Sequence, residues 1–211
     1  MFKTIKSDSS AELVEKKSKF IANLFYIESV EEAEEKIKEI NKKYFDARHN
    51  CYAFSVYTDS GIVTRFSDNG EPSGTAGGPM LNIIQSTGIS NCLVIVTRYF
   101  GGILLGTGGL VRAYSDATKL AFSNTELIIK DLGLEVKMVV SYSELQKLQY
   151  YFNKNNIKII DTQYNENIEV IFEITKNKYE DILEQEEKMN LNFNILGKEI
   201  LKEKYIEINK E

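Results

Sequence analysis

The spacing of hydrophobic and polar residues changes period several times along the chain, and each change marks an element. Residues 3–27 read as two strands, the second over 20–27. Ser29 with Glu32 forms a capping box, and Val30, Ala33, Ile37, Ile40 and Tyr44 carry a helix to about Lys43 with a charged outer face. Residues 50–58 and 62–66 predict strands joined by the turn Asp59-Ser60-Gly61. After a loop over 67–79, a short helix over about 80–85 leads to a strand at 91–97. Its unbroken run Leu93 to Val96 predicts burial on both faces. From Leu110 the apolar positions Val111, Tyr114, Ala117 and Ala121 return to helical spacing.

After Asn124 the pattern becomes that of a second unit. Leu132, Leu134, Val136, Met138 and Val140 alternate as a half-buried strand. Ser141 and Glu144 form a second capping box before a helix that buries Leu145, Leu148 and Phe152. Strands over 157–164 and 168–174 meet across Asn165-Glu166-Asn167. Thr175 caps a helix carrying Tyr179, Ile182 and Leu183, and Leu191, Phe193 and Ile195 begin the last strand. This order, βαββαβ, is the ferredoxin-like arrangement. The fold class is therefore α+β in two domains, an α/β sandwich over 1–128 and a ferredoxin-like domain over 129–211.

Composition sharpens the first domain. The chain has 22 lysines and four arginines, yet no lysine falls between Lys43 and Lys119, where all four arginines lie: Arg48, Arg65, Arg98 and Arg112. The same interval holds the single histidine, both cysteines, both prolines and 11 of the 13 glycines. A chain otherwise rich in lysine uses the planar, bidentate guanidinium here, which points to a site. Internal pairing competes with that reading: Arg112 and Asp116 are i,i+4, and Arg65 or Arg98 can brace Asp68 or Glu71. It accounts for two of the four arginines.

Charge and cysteine content narrow the class. Residues 131–211 carry 11 basic and 16 acidic side chains, so the net charge of −5 resides there and a broadly basic nucleic-acid footprint is absent. No apolar run approaches the roughly 20 residues of a membrane span. The first residues do not read as a signal segment. Two cysteines make no disulfide framework, so a cytoplasmic location is expected.

The chemistry centres on residues 98–116. Gly101, Gly102, Gly106, Gly108 and Gly109 fall between a strand and a helix, and the first N–H groups of that helix can hold a phosphate or carboxylate. Arg98 and Arg112 flank the turn. Tyr99 and Phe100 offer stacking surfaces or belong to the core. The turn fits neither a P-loop nor G-x-G-x-x-G. Zinc is set aside because His49, Cys51 and Cys92 form no ligand quartet, and Mg²⁺ at Asp68 and Glu71 is unspecific. His49 with Cys51, or Ser73 or Thr75 with Asp68, can assemble a nucleophile and base, but no nucleophile elbow occurs, so no catalytic residue is assigned.

Two blocks carry a resemblance. Ser67-Asp68-Asn69-Gly70-Glu71-Pro72-Ser73-Gly74-Thr75-Ala76-Gly77 and Arg98-Tyr99-Phe100-Gly101-Gly102, followed by Leu105-Gly106-Thr107-Gly108-Gly109-Leu110-Val111-Arg112-Ala113-Tyr114, resemble the IMPACT family in its bacterial YigZ/YvyE branch. Family members usually read Asp-Gly-Glu-Pro where this chain has Asp68-Asn69-Gly70-Glu71. The resemblance implies, for the first domain, the fold of the second domain of a small-subunit ribosomal protein, shared with domain IV of elongation factor G and the GHMP-type kinases. For the second domain it implies similarity to domain V of elongation factor G.

The resemblance also implies a link to translation, since eukaryotic IMPACT proteins regulate translation under starvation by competing for an activator of a translation-factor kinase. Bacteria lack that pathway, so that partner does not carry over. The expected function is thus a non-enzymatic, translation-associated regulator binding RNA, the ribosome or a translation-control protein, with no cofactor, no metal, no membrane and no DNA. The expected binding face comprises Arg48, His49, Arg65, Asp68, Glu71, Ser73, Thr75, Arg98, Tyr99, Gly101, Gly102, Gly106, Thr107, Gly108, Gly109 and Arg112. The alternative is an enzyme or sensor for a phosphorylated small molecule or nucleotide at the glycine-rich helix start. A third reading is a protein-interaction module whose acidic second domain meets a basic partner. The sequence leaves catalysis and oligomeric state open.

Overall fold

Residues 92–98 form an unbroken buried run on one strand, and the first unit is built around it. The computed structural model describes residues 1–58, 60–180 and 195–208. The chain divides into two compact units, Phe2–Ile129 and Lys130–Glu211 with Met1. The first runs β1 (Phe2–Ile5), β2 (Ser9–Glu15), β3 (Ser18–Tyr26), α1 (Val30–Lys43), β4 (His49–Thr58), β5 (Gly61–Ser67), α2 (Gly77–Thr87), β6 (Cys92–Tyr99) and α3 (Gly106–Ser123). Strand β7 (Leu127–Val140) begins in it and runs on into the second unit, followed by α4 (Leu145–Lys154), β8 (Lys158–Tyr164), β9 (Ile168–Thr175) and β10 (Ile195–Ile208).

The first sheet has the order β2-β3-β6-β4-β5, and every pairing in it is antiparallel. Strand alternation splits its side chains between two cores. Cys92, Val94 and Val96 pack with Cys51, Ala53, Met80, Ile84 and Tyr114 under α2 and α3. Leu93 and Ile95 pack with Phe54, Val56, Ala33 and Ile40 under α1. A strand covered on both sides needs aliphatic residues at successive positions, which is why Leu93–Val96 carries no polar residue.

Half of the α1 capping box forms as its sequence predicts: Ser29 Oγ accepts from Glu32 N at 3.0 Å, whereas Glu32 Oε2 accepts not from Ser29 N but from Glu28 N, one residue before the cap, at 2.8 Å. Elsewhere long-range partners move the boundaries. The stretch 3–27 is three strands rather than two, because the chain breaks after Ile5 and Asp8 Oδ1 accepts from Tyr26 N at 2.8 Å. Helix α2 is longer than predicted, since its start is capped from Asp68, eight residues before Ala76. The second capping box does not form. Ser141 Oγ pairs with Ser143 Oγ at 2.9 Å, Glu144 N donates to the Ser141 carbonyl, and α4 starts after that turn.

In the second sheet the order is β1-β7-β9-β8, with β10 also on β7; the β7 residues up to Ile129 belong with β1 in the first unit. The β10-β7-β9-β8 order is that of a ferredoxin-like sheet. Leu148 and Phe152 of α4 pack on Val136, Met138, Val170 and Phe172, and Tyr179 joins the same core. Thr175 Oγ1 accepts from Lys178 N at 3.4 Å. Asp59, Ile182, Leu183, Leu191 and Phe193, to which the sequence reading assigned a turn, a helix and a strand start, lie outside the described residues. Among the described residues no helix is long and apolar enough to cross a membrane.

Ile95 is 1 % exposed in the α1-side core. Ile95→Ala is expected to cost about 2–5 kcal/mol in urea unfolding through the cavity it leaves; a loss under 1 kcal/mol, in the range of surface substitutions, would place the core elsewhere.

Candidate functional site

Asp68 organises the loop between β5 and α2. Its Oδ1 accepts from Ala76 N at 2.9 Å and Gly77 N at 2.8 Å, and its Oδ2 from Gly74 N at 2.8 Å. The helix start, which has no capping side chain of its own, thus gains an anion at its positive end. Asn69, at φ +44°, accepts from Asn50 N through its side chain at 2.9 Å and ties the loop to β4. Gly77 is obligatory, because a Cβ there would lie 2.8 Å from the Ser67 backbone.

Beneath this loop lies a buried ionic cluster. Register places His49, Arg98 and Phe20 side by side across β4, β6 and β3, so the three share a face. Arg98 Nη1 donates to Glu71 Oε1 at 2.7 Å, and the Tyr114 hydroxyl donates to the same oxygen at 2.8 Å. Arg98 Nη2 reaches Ser18 Oγ at 3.5 Å, and the guanidinium lies 5.5 Å from the Phe20 ring centre and 5.6 Å from that of Phe100. Tyr114 meets Phe20 edge-on at 5.2 Å. His49 Nδ1 donates to the Asn69 carbonyl at 2.8 Å, leaving Nε2 facing Glu71 Oε1 at 4.0 Å. Cys51 Sγ is 2.9 Å from the Asp68 carbonyl and 3.4 Å from the Tyr114 hydroxyl.

These groups are tied to one another. Burial pushes the Cys51 thiol up to about 12 and drives the Tyr114 hydroxyl well above its usual range, so both stay neutral at ordinary pH. A thiol that does not ionise is no nucleophile. Asp68 and Glu71 already accept from loop N–H groups and from Arg98 and Tyr114 respectively. Among the described residues no cluster of His, Cys, Asp and Glu is placed to hold a metal ion.

The second group of predicted residues faces outward at the start of α3. Gly106, Thr107 and Gly108 are exposed, Leu105 at the N-cap offers no side-chain cap, and the first turn has no acidic residue. Gly102 and Gly106 take φ of +84° and +73°, which glycine adopts without strain. Gly101 carries a closer constraint. A Cβ there would collide with the Lys17 backbone at 2.0 Å, and its N–H donates to Ser18 Oγ at 3.2 Å. The Lys16-Lys17 turn is thereby held against the glycine-rich loop. Lys16, Leu105, Gly109 and Arg112 line a cleft of about 210 Å³, with Glu15 and Asp116 also on its wall. Beside it Phe100, Ile103 and Leu104 are exposed, Leu104 by 83 %.

The remaining candidates stand apart. Arg65 pairs with Glu34 at 3.0 Å, and Tyr99, turned away from Arg98 by strand alternation, donates to Asp46 at 2.8 Å. Thr75 Oγ1 donates to the Pro72 carbonyl at 2.6 Å, while Arg48 and Ser73 are exposed. Asp116 pairs with Lys119 at 3.3 Å rather than with Arg112. Sequence reasoning missed Ser18, Lys16 and Lys17. Strand register alone brings them here, and no local pattern signals it.

The Impact N-terminal domain family matches residues 16–122, and a domain of unknown function, DUF1949, matches residues 138–185. The chain is 34 % identical over 166 residues to IMPACT family member YvyE of Bacillus subtilis, covering 79 % of this chain and 76 % of that protein. It is 37 % identical over 150 residues to IMPACT family member YigZ of Escherichia coli, covering 71 % and 74 % respectively. A crystal structure of a hypothetical protein superposes with a TM-score of 0.61 at 28 % identity, covering 93 % of this chain and 96 % of the other.

Arg98→Met is expected to cost about 3–5 kcal/mol in denaturant unfolding, because it leaves Glu71 buried without its cation. Adding Glu71→Leu should recover part of that loss; a double variant as unstable as the sum of the two singles would show that the pair is not coupled. Cys51 and Cys92 are both buried, and burial raises both thiols. Neither should react with iodoacetamide at mildly alkaline pH until the protein unfolds, and rapid labelling of the native state would contradict the closed cluster.

Proposed function

This chain belongs to the IMPACT family, and on that premise we propose that it is a non-enzymatic regulator of translation that binds through the exposed start of α3. The observation that carries the reading is the division of the candidate residues. The acidic, thiol and imidazole groups that could do chemistry are tied together beneath the 67–77 loop. At the start of α3, uncapped helix N–H groups face solvent with Arg112 and Lys16 beside them and Glu15 and Asp116 further along the cleft, so an anionic group is favoured at the helix start itself.

The partner is RNA, the ribosome or a translation-control protein, as the family resemblance implies. Few cations are available, so phosphate attraction alone gives little affinity. Recognition must therefore rest on shape, at a folded RNA or a ribosomal surface. The same helix start also suits the phosphate of a small molecule. Against that alternative, the adjoining cleft of about 210 Å³ is smaller than the ~300 Å³ at which ligand pockets usually begin.

Gly108 offers a clean test, since a Cβ there meets nothing within 4 Å. Gly108→Glu places a negative charge in the first turn of α3, which favours the helix while repelling an anion. Wild-type protein should bind ribosomal subunits or structured RNA saturably, with affinity that falls as salt rises. Gly108→Glu and Arg112→Glu should each weaken binding by about tenfold or more, near the 1.4 kcal/mol that tenfold represents, with an unchanged or higher melting temperature for the former. Absence of binding at low salt, with thermal stabilisation by a phosphorylated metabolite, would replace this reading with the small-molecule one.

A further inference from the structure

We propose that β5 is a self-association edge, through which two copies of the chain pair antiparallel and join their first sheets. The proposal is independent of the functional reading. It rests on how differently the chain treats its strand edges. Exposed edges normally carry charges, bulges or covering groups that prevent pairing. Strand β2 carries Glu12 and Glu15, and Asn124 Nδ2 covers its edge by donating to the Ser10 carbonyl at 2.8 Å. Strand β8 carries Lys158 and Asp161, with a register shift between Ile159 and Asp161.

Strand β5 lacks most of these. Its seven residues pair with β4 in unbroken register, it contains no proline, and none of the chain's 22 lysines lies on it. Its one charged residue, Arg65, is already paired with Glu34 of the same chain. On the face it shares with α2, Ile62 is 61 % exposed and Phe66 51 % exposed. In a chain with 27 % charged residues, this edge carries a single charge, on the face opposite Ile62 and Phe66.

The strand is complementary to itself. A two-fold axis through Thr64 sets Ile62 opposite Phe66 of the second copy, twice, on one face, and Val63 opposite Arg65 on the other. Shifting the axis to Arg65 would oppose the two guanidinium groups, and shifting it to Val63 would leave Phe66 without a partner on the strand, so the Thr64 register is the one that pairs both apolar side chains. One strand per copy is a small contact, below the ~1,200 Å² of a standard interface. The dimer should therefore be weak and depend on concentration.

Sedimentation equilibrium of the full chain from micromolar to millimolar concentration tests this, with circular dichroism to confirm folding. The weight-average mass should rise from 24.1 kDa toward twice that value. Ile62→Lys with Phe66→Lys sets lysine opposite lysine at both contacts and should weaken association by about tenfold or more. Ile62→Lys with Phe66→Glu sets each new lysine opposite a new glutamate of the second copy and should restore it. A single-chain mass at every concentration would overturn the proposal, as would equal association of the two double variants.

Discussion

The first unit depends on one buried carboxylate. Glu71 sits on a loop, Arg98 on the central strand and Tyr114 on α3, and all three meet at a single oxygen of Glu71. A carboxylate with a 3 % exposed side chain is tolerated only with such partners, since an unpaired buried charge costs several kcal/mol. The same guanidinium reaches Ser18, whose hydroxyl accepts the Gly101 N–H. One ionic contact thereby joins the loop, the sheet, the helix and the glycine-rich turn.

That linkage separates support from surface. Asp68 holds the start of α2 and leaves its carboxylate occupied, whereas the start of α3 has no side-chain cap and no acidic residue in its first turn. Two helix starts in one unit are thus treated in opposite ways. The one capped from within is part of the scaffold, and the other presents its N–H groups to solvent beside Arg112. Gly101 and Gly77 have packing duties set by close backbone approach, while Gly106 and Gly108 face open space.

Much of this was legible in the sequence where the cause was local. The doubly buried strand followed from Leu93 to Val96, the α1 start from Ser29 and Glu32, and a glycine-rich strand-to-helix turn from residues 101–109. Composition also showed that guanidinium rather than ammonium was wanted between Lys43 and Lys119. It did not show for whom. Among the described residues two of the four arginines have carboxylate partners: Arg98 with Glu71, one of the pairings the sequence allowed, and Arg65 with Glu34, which strand register alone reveals. Asp68 capping α2, and Ser18 bridging to Gly101, act over 8 and 83 residues, beyond any periodic pattern. The capping box at Ser141 is the converse case, a local signal overridden by a serine pair and a turn.

The proposed binding face at the start of α3 rests on a scaffold closed by Glu71. Amide hydrogen exchange of the whole protein, with and without ribosomal subunits, tests it most directly. The arrangement predicts slowed exchange confined to residues 103–112 and the 16–17 turn, with the amides of residues 68–77 unchanged because Asp68 and Glu71 already hold that loop. Slowed exchange confined to residues 68–77, or found only in the second unit, would contradict it.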